Sequence, residues 1–483
     1  MLNNSIVSKI ISGAFWTLLQ TISLKLISFG SQIVLAWILL PEDFGKIALV
    51  YTITNISSLM QQFGLQDVLI KQGKSFNLWY PLSFGLTLFV SILSIIAALV
   101  FGFLGGYFYN DVIIFELVLI FAVSIPFQAL SLLPDTKMKI ELKFKKISVI
   151  KIIEMLLIQS GIVVFALNNF GVYSFVIPIS IVAILRCVFL FFYTNLKLVY
   201  PSFKRWRYLT YNSLQGLLFA ISSRLSMQVD VILLGLISSQ LIIGIYFMGM
   251  SLSIQVIGFI GLALPSILFP ALMSYSGKDL SKVIMPLQKI IIYTALLGVP
   301  FACWQATNVK PLISLFLSEK WLPSIAYVQI FSVGMIFRVF STPWVVPLKL
   351  KGDFKIMSVV TFHSLLLLTI IISIFGYLYG PIGVAIGVSL FYFINTPYLI
   401  YKGFQGFNID YKFMIFNILK IVVISVLSYG IIFVLTENIS IFNDSHLLNL
   451  LFNTIVSSLL YLFFIFLFMK NFFLELFFKI KSL

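Results

Sequence analysis

The chain has 483 residues, of which 60% are hydrophobic and only 10% are charged, and its formal net charge is +16. A soluble globular protein is excluded, because average soluble domains are about 45–50% apolar and about 25% charged. The apolar runs are continuous and do not alternate with period two, which excludes an outer-membrane barrel and predicts an all-α protein that crosses the membrane many times.

The apolar runs predict about fourteen transmembrane helices, since about 20 apolar residues cross a bilayer. The first run is too long for the core of a signal peptide and has no small-residue cleavage site behind it, so we expect an uncleaved span. The predicted spans are residues 12–40, 44–66, 78–103, 112–133, 147–167, 171–193, 211–237, 241–264, 286–307, 322–347, 355–377, 380–401, 414–435 and 447–469.

Basic residues are concentrated in alternate connections between these spans. With the N-terminus in the cytoplasm, most of the 32 lysines and arginines fall on the inner side, and the outer loops hold only Lys310 and Lys320. The positive-inside rule therefore places both termini in the cytoplasm. It also explains the positive net charge without a nucleic-acid partner.

A weak internal repeat relates the two halves of the chain. A shift of 199 residues places Gly45 of PEDFGKIALVY on Gly244 of QLIIGIYFMGM, and the same shift places Lys25 on Arg224. The repeated unit holds an even number of spans, so its two copies run parallel in the membrane. We expect an N-lobe at 1–200 and a C-lobe at 201–413 around a central cavity, which is a transporter architecture. Two extra C-terminal helices and a basic cytoplasmic tail, residues 414–483, stand outside the repeat.

Four cations inside the spans are the predicted substrate-binding residues. A charge at the bilayer centre costs roughly 2.5–3.5 kcal/mol on insertion scales, so it should face protein or a wet cavity. Acidic partners at depth are few, and Arg224 and Asp230 lie on different helical faces. The alternative is that the cations are paired or snorkel and hold helices together, above all Arg186 near the inner end of its span. An excess of positive charge favours phosphate or diphosphate. The four are Lys25, Arg186, Arg224 and Arg338.

Two prolines occupy equivalent repeat positions, since a shift of 217 residues places Pro126 on Pro343. They are candidate hinges between two conformations. The alternative is that they are tolerated kinks whose freed carbonyls find partners on neighbouring helices.

Catalysis finds little support in the sequence. His363 and His446 have no evident acid or nucleophile partner, and there is no HExxH, GxSxG or P-loop motif. Both cysteines lie in apolar runs, which argues against a disulfide framework or a metal site. We expect a non-enzymatic protein without a cofactor or metal that does not hydrolyse ATP.

Several motifs resemble the polysaccharide transporter family. They are Gly13, Trp16 and Gln20 in the first span, the turn LLPEDFG at 39–45, FGLQDVLIKQ at 63–72, FPAL at 269–272 and FLSEKW at 316–321. This family contains the flippases of O-antigen, capsule and exopolysaccharide export within the multidrug/oligosaccharidyl-lipid/polysaccharide superfamily. The resemblance covers essentially the whole chain and is strongest to the colanic-acid-type branch.

The resemblance implies translocation of an undecaprenyl-diphosphate-linked oligosaccharide from the inner to the outer leaflet of the bacterial plasma membrane. It implies alternating access without ATP, a fold like that of the MATE and MurJ transporters, and a lipid-tail groove at spans 13 and 14. Lys25 and Arg224 would match the family's cavity cations, membrane lipids would be partners, and Na⁺ or H⁺ and other assembly proteins are possible partners. Polar candidates for the cavity or for ion coupling are Gln20, Ser28, Gln32, Asn55, Glu154, Gln215, Gln228, Asp230 and Gln255.

Three other functions fit the sequence less well. A multidrug or organic-cation antiporter would need carboxylates in mid-membrane, and the first lobe offers only Glu154. A membrane polymerase or ligase for the same glycans would need a sizeable outer loop, and every predicted outer loop is short. A scaffolding membrane protein would not need buried cations. The flippase is therefore the predicted function.

Overall fold

A computed structural model describes residues 4–62, 65–200, 217–254, 281–407, 409–438 and 445–481. These residues are helical with short connections, and no strand occurs among them, which confirms the predicted fold class. The helices of the first half are α1 (Asn4–Ile38), α2 (Pro41–Ser57), α3 (Leu65–Gln72), α4 (Phe76–Phe108), α5 (Val112–Ala122), α6 (Ser124–Ile140), α7 (Phe144–Leu167) and α8 (Ile177–Thr194).

The second half continues in the same way. Its helices are α9 (Leu217–Leu225), α10 (Val229–Ile237), α11 (Gln240–Ile254), α12 (Ser281–Phe316), α13 (Ser324–Ser341), α14 (Val345–Lys351), α15 (Phe354–Phe404), α16 (Tyr411–Glu437) and α17 (His446–Lys481). Among the described residues ten helices are long and apolar enough to cross a membrane, and the α9–α10 pair, bent by 43°, makes an eleventh.

The predicted count of fourteen is approximate, and the differences have local causes. The stretch α15 consists of two helices that meet at the non-helical Gly380. A Cβ atom on Gly387 would lie 3.0 Å from the Ile372 Cα, so the chain folds back there, and predicted spans 355–377 and 380–401 each have a helix of their own. Gly380 has φ of 63°, a conformation that favours glycine, and Pro381 after it cannot donate a backbone hydrogen bond. The predicted span 44–66 is the 17-residue α2 followed by a 3₁₀ turn at Ser58–Gln62.

The chain forms two compact units. Unit 1 comprises Met1–Phe247 and Phe354–Thr369, and unit 2 comprises Met248–Asp353 and Ile370–Leu483. These boundaries follow packing, whereas the predicted lobe boundaries follow the sequence repeat, so the lobes at 1–200 and 201–413 stay a prediction.

In unit 1, α1 packs along α7 at its N-terminal end. Gly13 lies against the ring of Phe144, and a Cβ atom at Gly13 would be 2.7 Å from that ring. The ammonium of Lys145 lies 4.9 Å from the centre of the Trp16 ring, a cation–π contact. Because Gly13 has no side chain, the two helices approach closely here.

In unit 2, α12 is the central helix. Leu287, Ile291, Ala295 and Val299 are spaced by four residues, so they form one buried stripe, which packs in a cluster with residues of α13, α16 and α17. Two polar contacts join α17 to α12: the Tyr461 hydroxyl donates to the Leu296 carbonyl at 2.6 Å, and the Trp304 indole donates to the Thr454 hydroxyl at 2.9 Å. The last two predicted spans are therefore part of this unit's core.

Candidate functional site

Unit 1 contains a polar cavity of about 270 Å³. Its walls come from the end of α2 and the following 3₁₀ turn, from the middles of α4 and α6, and from α9. It is lined by Asn55, Ser58, Gln61, Leu65, Leu86, Thr87, Val90, Gln128, Ala129, Leu132 and Arg224.

The end of α2 and the 3₁₀ turn after it place three polar residues on one side. A 3₁₀ helix has three residues per turn, so Ser58 and Gln61 in the turn point the same way. Asn55 lies three residues before Ser58 on α2, which also puts the two on one face, and the Ser58 hydroxyl donates to the Asn55 carbonyl at 3.0 Å. The change from α-helix to 3₁₀ turn thus extends a polar face along the cavity.

Helices α4 and α6 provide further walls of the cavity, and the lining residues have the same spacing on both helices. Leu86, Thr87 and Val90 on α4 repeat the i, i+1, i+4 pattern of Gln128, Ala129 and Leu132 on α6, so each helix presents one polar and two apolar residues. The amide nitrogen of Gln128 donates to the Ser124 hydroxyl at 2.9 Å, which orients that amide.

Arg224 supplies the positive charge of the described lining, which contains no acidic residue. It lies in the last turn of α9, where the negative end of the helix dipole favours a cation. The turn between α9 and α10 is held against α2, because the Thr52 hydroxyl donates to the side-chain oxygen of Gln228 at 2.9 Å. The guanidinium is therefore placed beside the polar turn by a side-chain contact between sequence-distant helices.

Two polar atoms in this lining are buried and have no hydrogen-bond partner within the described part of the chain. They are the side-chain nitrogen of Gln61 and the hydroxyl of Thr87. Elsewhere threonine hydroxyls in helices donate to the carbonyl four residues earlier, as Thr54 and Thr294 do. Thr87 forms no such bond. An unpaired buried polar group costs free energy, so Gln61 and Thr87 each carry a polar group that the described chain does not satisfy.

Comparison with known families decides the classification. The profile of the family described as "Polysaccharide biosynthesis protein" matches residues 34–326, more than half of the chain. This chain belongs to the polysaccharide biosynthesis protein family. A comparison with curated proteins gave no match.

Solved structures share the fold of this polysaccharide biosynthesis protein. The lipid II flippase MurJ in an inward closed conformation aligns with a TM-score of 0.78 at 16% identity, over 95% of this chain and 99% of that chain. The eukaryotic MATE transporter AtDTX14 aligns with a TM-score of 0.56 at 13% identity, over 87% of this chain and 98% of that chain. An outward-facing multidrug-resistance MATE transporter of the MOP superfamily aligns with a TM-score of 0.56 at 13% identity, over 81% of this chain and 94% of that chain. These likenesses confirm the expected fold.

Only some of the predicted site residues line this cavity. Arg224 and Asn55 line it. Lys25, Gln20, Ser28 and Gln32 lie on α1 and are outside its lining, so their contact with substrate stays a prediction. The predicted residues Gln215 and Gln255 and the FPAL motif at 269–272 lie outside the described residues.

Arg186 has acidic partners in the structure. Its guanidinium lies 2.6 Å from a carboxylate oxygen of Asp135 and 3.0 Å from one of Glu154, and the three side chains are 13%, 15% and 25% exposed. These contacts join α6, α7 and α8 and support the pairing alternative for Arg186 and Glu154. Sequence reasoning missed Asp135 because predicted span 4 ended at 133, whereas α6 continues to Ile140 and carries Asp135 inside the helix.

Asp230 and Arg338 lie apart from the cavity lining. Asp230 is 4% exposed and accepts hydrogen bonds from the Tyr246 hydroxyl at 2.7 Å and the backbone nitrogen of Val231 at 2.9 Å. Arg338 lies in unit 2, with its guanidinium 5.2 Å from the centre of the Tyr392 ring. Both residues therefore have neighbours that stabilise them without substrate.

The predicted hinge prolines lie near the joins between helical segments. Pro126 is in the first turn of α6, and Val123 before it keeps helical dihedral angles, so α5 and α6 form one continuous span. Pro343 is in the 3₁₀ turn Thr342–Trp344 between α13 and α14. The similar placement agrees with the repeat, and their role as hinges stays a prediction.

A second polar cluster lies near the start of α2. The Lys46 ammonium is 2.8 Å from a carboxylate oxygen of Asp111, and the Gln240 amide donates to the same oxygen at 3.0 Å. Asp111 also caps α5 by accepting from the Ile113 backbone nitrogen. Burial opposes ionisation of Asp111, but these hydrogen bonds and the Lys46 charge outweigh it and hold its pKa below the usual value.

Proposed function

We propose that this protein is a flippase for undecaprenyl-diphosphate-linked oligosaccharides. It would carry O-antigen, capsule or exopolysaccharide repeat units from the inner to the outer leaflet of the bacterial plasma membrane by alternating access. One observation carries the proposal: an arginine faces a polar cavity in a many-span member of the polysaccharide biosynthesis family. The name of the structurally similar lipid II flippase MurJ supports the same substrate class.

The chemistry of the cavity suits the polar head of such a lipid. An arginine guanidinium offers a planar fork of donors that matches phosphate oxygens, and a phosphate contact is stronger where water is scarce. The described lining of Asn55, Gln61 and Gln128 offers neutral donors and acceptors for a glycan.

The multidrug antiporter is the second candidate, because MATE transporters share the fold. A cavity for organic cations would need negative charge, whereas the described lining carries Arg224 and no carboxylate. The observed charge therefore favours an anionic substrate. We propose no enzymatic activity for the chain.

The proposed topology has both termini in the cytoplasm, as the distribution of basic residues predicts. Membrane lipids and other polysaccharide assembly proteins are the proposed partners. Na⁺ or H⁺ is the proposed coupling ion, with Asp230 and Glu154 as the carboxylates to test. Lys25 and Arg338 remain proposed cations of the transport path.

The test is flipping of a fluorescent undecaprenyl-diphosphate glycan in proteoliposomes. Arg224→Gln should abolish flipping while the purified variant still elutes as a single monodisperse species. Lys420→Gln removes a cation from α16, outside the cavity, and should transport like the wild type. Normal flipping by Arg224→Gln, or failure of the wild type with every glycan tested, would reject the proposal.

A further inference from the structure

We propose that Gln61 and Thr87, together with Gln128, form a sugar-binding subsite beside Arg224, which takes the sugar nearest to the phosphate. The inference rests on the proposed function for the presence of a phosphate. The unpartnered groups, the chemistry of the wall and the size of the cavity all point to a sugar.

The unpartnered groups are the first argument. Gln61 and Thr87 both line the cavity, and the Gln61 side-chain nitrogen and the Thr87 hydroxyl are buried atoms without a hydrogen-bond partner among the described residues. Helical threonines ordinarily satisfy their hydroxyl on their own backbone, so an unpaired Thr87 is unexpected. Groups that are costly to leave unpaired are explained if a ligand supplies the missing partners.

The chemistry of the wall is the second argument. A sugar presents hydroxyls that both donate and accept, and amide and hydroxyl side chains also do both. The described lining offers three amides and two hydroxyls. Its apolar residues Leu86, Val90 and Leu132 can face the C–H side of a sugar ring. Such a mixture binds a neutral sugar better than an ion or an apolar drug.

The size of the cavity is the third argument. Its volume of about 270 Å³ lies just below the roughly 300–1,000 Å³ of pockets for drug-sized ligands. It therefore suits a single sugar and not a whole oligosaccharide repeat. Because Arg224, the proposed phosphate ligand, lines the same cavity, the sugar bound in the cavity is the one attached to the diphosphate.

Isosteric substitution separates a ligand-binding role from a structural role. If Thr87 stabilised the fold, Thr87→Val would lower the melting temperature. Because its hydroxyl is unpaired, replacing it with a methyl group should leave the melting temperature of the ligand-free protein unchanged or raise it. Gln61→Leu should behave in the same way. Loss of sugar recognition without loss of stability is the expected signature of the subsite.

The experiment measures binding of two kinds of probe to the purified full-length protein in detergent. The probes are undecaprenyl diphosphate alone and the same lipid carrying one glucose or one N-acetylglucosamine. Affinity is read from the ligand-induced rise in melting temperature. We expect the wild type to bind at least one sugar-bearing probe about tenfold more tightly than the bare lipid, as two added hydrogen bonds would give.

Gln61→Leu and Thr87→Val should remove most of this preference and leave binding of the bare diphosphate unchanged. Arg224→Gln should weaken binding of all probes. The matched control is Gln159→Leu, which removes an amide from α7, outside the cavity. It should keep the wild-type preference.

Two results would overturn the inference: equal binding of all probes by the wild type, or equal weakening of bare and sugar-bearing probes by Gln61→Leu and Thr87→Val. These failures differ from failure of the proposed function. A sugar preference without flipping would reject the flippase and keep the subsite, whereas flipping without a sugar preference would do the reverse.

Discussion

Gly45 and Gly244, which the internal repeat aligns in sequence, lie directly against each other in the structure. A Cβ atom on Gly244 would lie 2.9 Å from the Gly45 backbone nitrogen, and one on Gly45 would lie 3.1 Å from the Gly244 nitrogen. Each would also collide with a carbonyl oxygen of the other helix, that of Pro41 or of Gln240. Helices α2 and α11 thus meet backbone to backbone at equivalent positions of the two repeats.

This contact predicts that alanine is not tolerated at either glycine. Gly45→Ala or Gly244→Ala should destabilise the protein by about 1–3 kcal/mol, the usual cost of overpacking, because the neighbouring atoms are backbone and cannot rotate away. Thermal unfolding of the purified protein measures the effect. Gly30→Ala is the control: a Cβ atom there has no neighbour within 4 Å, so this variant should be unchanged or slightly stabilised. Equal stability of all three variants would contradict the close contact.

The Asp111 cluster predicts a pH-dependent contribution to stability. Its folded pKa lies below the ordinary value of 3.8, so its contribution is present above pH 3.8 and is lost as pH falls through the lower, folded pKa. Asp111→Asn should therefore lower the melting temperature at pH 7. The difference in melting temperature between the variant and the wild type should disappear in strong acid. A difference of constant size down to the lowest pH that the protein survives would contradict this prediction.

The ion pairs of Arg186 predict a large cost when it alone is removed. Arg186→Met leaves Asp135 and Glu154 buried without their cation, which should cost about 3–5 kcal/mol in folding free energy. Adding Asp135→Asn and Glu154→Gln to Arg186→Met should restore much of the stability, as measured by thermal unfolding. If Arg186→Met is stable but inactive, then Arg186 acts on substrate, and the pairing explanation is wrong.

The geometry of the guanidinium predicts that lysine is a poor replacement at position 224. A lysine keeps the charge but binds phosphate as a point charge without the planar fork, so Arg224→Lys should weaken binding of undecaprenyl diphosphate by about tenfold. Arg224→Gln, which removes the charge, should weaken it further. Binding of undecaprenyl diphosphate is measured for the three proteins, and we expect affinity to fall from the wild type to Arg224→Lys to Arg224→Gln. Equal affinity of the wild type and Arg224→Lys would show that the planar fork is not used.

The sequence predicted the class of fold well because a membrane imposes simple demands on it. Continuous apolar runs had to be helices, and most predicted spans have a matching helix. The deviations arose where backbone conformation changes without a change in polarity. The 3₁₀ turn after α2 lies inside predicted span 44–66, whereas the non-helical Gly380 falls where predicted spans 355–377 and 380–401 meet.

The site was harder to predict, since it depends on which helical faces meet. Arg224 and Asn55 were found because polar residues in apolar runs are conspicuous. Thr87 was missed, although α4 carried a signal: Ser83, Thr87 and Ser91 recur every four residues and are all buried. Asp135 was missed because its helix was predicted to end too early. Contacts between sequence-distant residues, such as Thr52 with Gln228, leave no trace in a single sequence.

The packing of α16 and α17 on α12 bears on how this chain can be shortened. These two helices cover one side of the central helix of unit 2, and the Tyr461 and Trp304 hydrogen bonds join α17 to it. Truncation after residue 413 would expose that side to lipid and leave the Trp304 indole without its acceptor. A shortened protein without α16 and α17 therefore cannot be obtained by deletion alone, and it would require redesign of the uncovered surface of α12.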